Sequence, residues 1–313
     1  MARKALGSAT KQLVDAIVAT AGPLEPWVVG CSGGPDSLAL ALAARPAAEI
    51  LNAGVTTIVV DHGLQSDSAD VAAGVLAQLE RHGVSAKVVT VTPYGPGGPE
   101  AAARRARLDA LIGEAEAHDG QVLLGHTMDD QAEQVLLGLA RGSGTRSLSG
   151  MAPDTGVLTR PFLGLRRTVI DQACEELGLE PWTDPHNSDE SFARVRARRN
   201  VLPTLERELG PGITEALARS ADLLRDDADA LDGYARGLVD SSSPRLEVGS
   251  LRPHPPAIRR RALRDWLKAH GARDLNASHL RAVDGLITQG RGDGTIQMPG
   301  LEVHRVRQQL LAR

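Results

Sequence analysis

Six consecutive residues, Ser32-Gly33-Gly34-Pro35-Asp36-Ser37, combine two glycines, two hydroxyls and a carboxylate. They lie between an apolar run, Trp27-Val28-Val29, and a helix-forming stretch from Asp36 to Ala44. Glycines there let backbone amides approach an anion closely, and the helix N-terminus adds a favourable dipole. Asp36 cannot hold a phosphate by itself, so a carboxylate in this setting implies a bridging Mg²⁺. A turn with Ser and Asp as plain helix caps uses the same residue types; the complete hexapeptide between strand and helix favours the anion-binding reading. The pattern is neither GxxxxGK followed by Ser or Thr nor GxGxxG, so P-loop NTPases and dinucleotide-binding dehydrogenases fit poorly.

A second cluster is Gly125-His126-Thr127-Met128-Asp129-Asp130-Gln131-Ala132-Glu133. Asp130 and Glu133 are three apart on a predicted helix, so their carboxylates can converge on one cation. Acids in a first helical turn are also ordinary partners of the helix dipole; the Gly-rich turn upstream tips the balance towards a ligand role. Further on, Arg194, Arg196, Arg198 and Arg199 place four guanidinium groups within six residues. Such groups grip phosphates or carboxylates in a bidentate fork. Their alternative is a solvated face paired with Glu190, Glu206 and Glu208. His62 and His126 follow strand ends where they could touch a nucleotide, a lone histidine being as often an ordinary loop residue, and Cys31 is expected to pack as a small buried residue.

Apolar runs at Trp27–Val29, Thr56–Val60, Val88–Val91 and Val122–Leu124 read as strands. Helical stretches run from Asp36 to Ala44, Ala69 to His82, Glu100 to His118 and Asp129 to Ala140. Strands separated by helices predict βαβ units and an open parallel sheet covered on both faces, with ligands at the carboxyl ends of the strands. Pro93–Pro99 and Arg141–Gly150 read as loops. From Pro211 the pattern turns to amphipathic helices at Ile213–Val239, Ala257–His270 and Ala277–Ile287. A hairpin follows, with Pro299-Gly300 at its turn. The expected organisation is an α/β domain over residues 1–210 and a smaller, mainly helical domain over 211–313.

With 313 residues, 42% hydrophobic and 24% charged, the chain reads as a soluble globular protein with room for two cores. Its net charge of -4 argues against binding nucleic acid by overall charge but leaves room for a local basic face. Cys31 and Cys174 provide neither a disulfide framework nor a zinc site, which points to a reducing compartment. No stretch approaches the ~20 apolar residues of a membrane span, so a cytoplasmic protein is expected.

The hexapeptide is similar to the SGGxDS signature of PP-loop ATP pyrophosphatases. Val60-Asp61-His62-Gly63-Leu64, Glu100-Ala101-Ala102-Ala103-Arg104, Arg160-Pro161-Phe162-Leu163, Asp184-Pro185-His186-Asn187-Ser188-Asp189 and the arginine run follow in order. The ordered set, from about Val28 to Pro203, resembles the tRNA(Ile)-lysidine synthetases. Gln65, Gln134 and Leu108 depart from the common pattern, and the further C-terminal domain of longer members is expected to be missing.

The resemblance implies an adenylating ligase that joins L-lysine to the wobble cytidine of a CAU-anticodon tRNA(Ile), with ATP as co-substrate and Mg²⁺ as cofactor. It assigns ATP to Ser32, Gly33, Gly34, Asp36, Ser37, His62 and Gly125, and the metal to Asp36 and Asp129. Asp36, Arg104, Asp130 and Glu133 become catalytic candidates. Asp130, Glu133, Arg194, Arg196 and Arg198 become substrate ligands, the two carboxylates also serving as proton acceptors for the lysine amine. No membrane partner is expected, and a homodimer is carried as an option. A PP-loop tRNA thiolase is the rival reading; it would ask for a working cysteine pair or an iron-sulfur site.

Overall fold

β-Branched runs flanked by Ala- and Leu-rich stretches can bury both faces of a sheet only if helices cover each side. The computed structural model describes residues 6–22, 25–63, 68–96, 98–289 and 293–313. The readings placed on Leu64, Gln65 and Gly97 fall outside these, as do the side chains of Glu100, Pro185 and His186. The chain forms two compact units, Met1–Asp222 and Leu223–Arg313.

The first unit runs α1 (Ser8–Thr20), β1 (Trp27–Cys31), α2 (Pro35–Leu51), β2 (Val55–Asp61), α3 (Ser68–Arg81), β3 (Ala86–Thr90) and α4 (Gly98–Glu116). It continues through β4 (Gln121–Leu123), α5 (Met128–Ala140), α6 (Thr145–Leu148), β5 (Leu158–Thr159) and α7 (Arg167–Leu177). α8 (Ala193–Arg196) and α9 (Leu202–Leu209) follow, joined by a π-helical turn at Ala197–Val201, and the unit boundary falls within α10 (Ile213–Ala235).

The five strands are all parallel, in the order β3-β2-β1-β4-β5. Alternation along the strands separates two cores. Trp27, Val29, Cys31 and Val59 pack with α1, α2 and α7, while Val28, Ile58 and Val122 pack under Leu111 and Ala115 of α4. α2 extends beyond the expected Ala44 and passes through Pro46. The proline removes one helical hydrogen bond, but burial of Ala43, Ala44, Ala47 and Ala48 holds the helix together. The chain steps outward from β1 to β3 and then returns to the other side of β1 with β4, so the order reverses between β1 and β4. In doubly wound sheets the ligand crevice opens at that switch point.

The second unit combines β6 (Arg245–Glu247), α11 (Val248–Leu251), α12 (Pro256–Ala269), α13 (Ala277–Thr288), β7 (Gly294–Met298), β8 (Leu301–Val306) and β9 (Gln309–Ala312). The expected hairpin is β7–β8, with Met298 opposite Leu301 across Pro299-Gly300. It belongs to a four-stranded antiparallel sheet, β6-β9-β8-β7, so this unit holds more strand than its helical periodicity suggested. The fully buried Trp266 of α12 packs with Val283, Ile287, Val303 and Leu310.

Candidate active site

The switch-point crevice is built from the segments that follow β1 and β4. After β1, Gly33 adopts φ +84°, a left-handed backbone that favours glycine. A β-carbon there would stand 2.4 Å from Val75 Cγ2. Ser37 Oγ donates to the Gly34 carbonyl at 3.0 Å and accepts from the Ser32 N–H at 3.1 Å, closing the loop on itself. Gly34 is the N-cap of α2 and offers no side-chain cap bond, with Pro35 in the first turn. The helix's opening N–H groups and its dipole face the crevice ready for an anion. Across the gap, Gly125 lies so near that a β-carbon would come 2.7 Å from the Asp36 carbonyl oxygen. Gly125 thus acts by letting the two loops meet.

The N-terminus of α5 is satisfied differently. Thr127 and Asp130 form a capping box: the Thr127 N–H donates to Asp130 Oδ2 at 2.8 Å, and Thr127 Oγ1 accepts from the Asp130 N–H. Asp130 is thus the partner of the helix N-terminus, while its second oxygen faces three arginines. Asp130 Oδ1 accepts from Arg167 Nη2 at 3.0 Å, Arg194 Nη2 at 3.2 Å and Arg198 Nη2 at 3.3 Å. Glu133, with no exposed surface, accepts from Arg194 Nε at 2.7 Å and from Arg198 Nε at 2.6 Å and Nη2 at 3.1 Å. Arg198 belongs to the π-helical turn, a local distortion common at functional sites.

Burial by itself would raise Asp130, but Arg167, Arg194 and the Thr127 N–H more than offset it, and the carboxyl stays below its ordinary range. A carboxyl held low is ionised near neutral pH and so keeps a negative charge beside the three arginines. Asp36 is the contrasting case. Burial, with Asp130 adding and Arg167 opposing, lifts it to about 7. Its Oδ2 lies 3.8 Å from Arg167 Nε, and its buried Oδ1 has no hydrogen-bond partner among the described residues.

An orphaned carboxylate oxygen beside an uncapped helix N-terminus fits a divalent cation that also takes phosphate oxygens. Asp129, the other expected metal ligand, is turned elsewhere: it accepts from the Arg167 N–H at 2.8 Å and from Arg166 at 3.3 Å. Arg166 in turn reaches Glu215. Among the described residues no group of three His, Cys, Asp or Glu could hold a metal ion, and Mg²⁺ commonly binds through one or two carboxylates with phosphates and water.

The remaining expected residues divide. Arg194 and Arg198 join the carboxylates, whereas Arg196 turns away and donates to the carbonyls of Glu190 and Ser191 at 2.6 and 2.7 Å. Of the three acids weighed against the arginine run, Glu206 and Glu208 are engaged elsewhere. Glu206 accepts from the N–H groups of Gly212, Ile213 and Thr214, and Glu208 pairs with Arg207. His62 lies just past β2 beside a turn in which the Gly63 N–H donates to Asp61. Arg104 sits in α4, and His126 follows Gly125 with a buried Nδ1 that has no hydrogen-bond partner among the described residues. Arg167 was not singled out from the sequence, although it bridges Asp36, Asp130 and Glu133. Its one signal was its place just after Arg160-Pro161-Phe162-Leu163. Cys31 and Cys174 are both buried and free, Cys174 pushed up to about 12 by burial and nearby carboxylates.

Comparisons with known proteins bear on the family and the fold. Residues 7–205 match a PP-loop domain family, and residues 246–311 match the TilS substrate binding domain. The tRNA(Ile)-lysidine synthase of Leifsonia xyli subsp. xyli is 51% identical over 297 residues, 90% of this chain and 89% of that protein. That of Thermobifida fusca is 51% identical over 87% of this chain and 86% of its own length. The U34-tRNA thiolase NcsA from Methanococcus maripaludis shares the fold at 18% identity, with a TM-score of 0.58 over 69% of this chain and 80% of its own. Among the described residues no helix is long and apolar enough to cross a membrane. The chain belongs to the tRNA(Ile)-lysidine synthase family, ATP-using PP-loop ligases that act on tRNA.

Proposed function

We propose that this enzyme joins free L-lysine to C2 of the wobble cytidine in a CAU-anticodon tRNA(Ile), giving lysidine, AMP and pyrophosphate. The observation that carries the reading is the pairing of an uncapped helix N-terminus at α2 with the arginine-bound carboxylates Asp130 and Glu133 across one crevice. One half suits a polyphosphate and the other suits an amino acid that is both cation and carboxylate. In the first step the cytosine O2 attacks the α-phosphorus of ATP, the α–β bridge breaks and pyrophosphate leaves. In the second step the lysine ε-ammonium passes a proton to Asp130 or Glu133, the amine nitrogen bonds to C2, and the C2–O bond breaks as AMP departs.

The opening N–H groups of α2, with Ser32, Gly33, Gly34 and Ser37, hold the phosphates. Asp36 Oδ1 would hold Mg²⁺ together with phosphate oxygens, and the ion supplies positive charge against the leaving pyrophosphate. Arg104 draws phosphate charge from the α4 side. Lysine reaches Asp130 and Glu133 by exchange: its ammonium displaces one guanidinium, and the freed arginine takes the lysine carboxylate. The side chains of Arg194 and Arg198 are 33% and 34% exposed, which leaves them room to swing while Glu133 stays covered. Residues 211–313 are the surface proposed to meet tRNA. The thiolase reading lacks support here, because both cysteines are buried and raised above the ordinary thiol range.

Pyrophosphate release tests the first half. It should require both ATP and the tRNA and should vanish when the wobble cytidine is replaced by uridine. Equal release from both transcripts would remove the cytidine from the reaction.

A further inference from the structure

Three guanidinium groups converge on Asp130, but they are not held alike. The side chains of Arg194 and Arg198 are 33% and 34% exposed, that of Arg167 only 20%. Arg167 also spans more of the site, lying 3.8 Å from Asp36, 3.0 Å from Asp130 and 3.7 Å from Glu133. What fixes it begins at its backbone. Arg167 opens α7, and the N-cap position before it is Arg166, whose side chain has no acceptor to offer the helix's first N–H groups. Asp129 of α5 supplies the acceptor instead, taking the Arg167 N–H at 2.8 Å. Arg166 closes on the same carboxylate, Nε and Nη2 each donating at 3.3 Å. The Met128 N–H donates to the Leu165 carbonyl at 2.9 Å, so the chain entering α7 is pinned to the start of α5.

Arg166 has one more partner. Its Nη1 donates to Glu215 in the first turn of α10. That turn is itself anchored, because Glu206 of α9 accepts from the N–H groups of Gly212, Ile213 and Thr214 and from Thr214 Oγ1. α9 follows directly on the π-helical turn that carries Arg198. A closed ring results. It runs from Asp130 to Arg198, along α9 to Glu206 and Glu215, across to Arg166, and through Arg167 back to Asp130. The hydrogen bond from Arg166 is the largest cause holding the Glu215 carboxyl below its ordinary range, so the Arg166–Glu215 link joins two charged groups at neutral pH.

We propose that Glu215 is a positioning residue for the lysine site. Through Arg166 it fixes the entry of α7, so that Arg167 stays on the carboxylates while Arg194 or Arg198 yields its place to lysine. The proposal rests on lysine binding at Asp130 and Glu133. An arginine at position 166 suits the task, because its rigid fork of donors spans two carboxylates at once, whereas an ammonium is a point charge on a flexible stem.

The test measures lysine incorporation into tRNA(Ile) transcript across a range of lysine concentrations. It uses the full-length wild type, Glu215→Gln, Arg166→Gln and the double variant. Glu215→Gln keeps the shape of the side chain and removes its charge. It is expected to raise the KM for lysine about ten-fold and to change the rate at saturating lysine little. The double variant should be no worse than Arg166→Gln alone, because Glu215 acts through Arg166. A residue that merely holds α10 in place would lower the unfolding midpoint and leave the lysine KM where it was, and that result overturns the proposal. A KM increase in the double variant equal to the product of the two single increases overturns the path through Arg166. If Glu215→Gln does not fold, Arg166→Lys keeps a cation but loses the fork, and a wild-type lysine KM in that variant overturns the proposal. A wild type that incorporates no lysine overturns both this role and the functional reading. An active wild type beside variants with an unchanged lysine KM overturns this role alone.

Discussion

Asp36→Asn should make the ligand-free protein more stable and the enzyme inactive, and the stability gain should depend on pH in a defined direction. Asp36 is raised from 3.8 to about 7, burial being the largest cause. A carboxyl whose folded-state pKa is raised contributes stability that is present in full below its unfolded pKa and is lost as pH rises through the folded value. The window here is therefore pH 4 to 7. The full shift is about three units, or at most about 4 kcal/mol at 1.36 kcal/mol per unit. Between pH 5 and pH 8 the advantage of the asparagine variant over wild type should grow by about 2.5 kcal/mol. Urea unfolding without Mg²⁺ or ATP, followed by hydrogen exchange in β1 and α2, isolates the first unit, which matters in a chain with two compact units. The same variant should lose tRNA-dependent pyrophosphate release by about 10²- to 10³-fold. A stability gap that stays constant from pH 5 to 8 would refute the electrostatic reasoning. Full pyrophosphate release by the variant would remove Asp36 from the metal.

Glu133→Gln leaves Arg194 and Arg198 facing a neutral amide at a position with no exposed surface. It should destabilise the first unit by about 3–5 kcal/mol and raise the KM for lysine; an unfolding midpoint equal to wild type would contradict this. Arg198→Gln should abolish lysine transfer while Arg196→Gln, which loses only bonds to backbone carbonyls, keeps most of it. Steady-state lysine incorporation by the two variants separates them, and equal losses would erase the distinction. Gly33→Ala meets both a left-handed backbone and Val75, so ATP affinity measured by calorimetry should drop at least ten-fold; wild-type affinity would show that the loop does not need its observed conformation.

Much of the fold was legible because the parallel sheet advertises itself. Val28, Val29, Ile58, Val59, Val122 and Leu123 form short apolar runs between helical stretches, and each expected strand of the sheet appears within a residue or two of its predicted place. β5 was not read, because two residues carry no periodicity. The true length of α2 was hidden by Pro46, whose local cost is outweighed by alanines packing against α1 and α7. The N-terminus of α1 takes its cap from Glu176 of α7, which accepts from the Ala9 and Thr10 N–H groups across 167 and 166 residues of sequence; local patterning does not report such a partner. In the site, helical spacing brought Asp130 and Glu133 to one face. It could not reveal that Arg167 would join them, nor that Arg196, two residues from Arg198, would turn to the backbone. Side-chain direction around the π-helical turn decides that last point, and residue type does not encode it.

The central claim is tested most directly by incubating the enzyme with ATP, Mg²⁺, radiolabelled lysine and a CAU-anticodon tRNA(Ile) transcript, then counting label in the recovered tRNA. The account predicts lysine bound to tRNA only when ATP and the wobble cytidine are both present. Label that enters without ATP, or that enters equally when the wobble position is uridine, would contradict it.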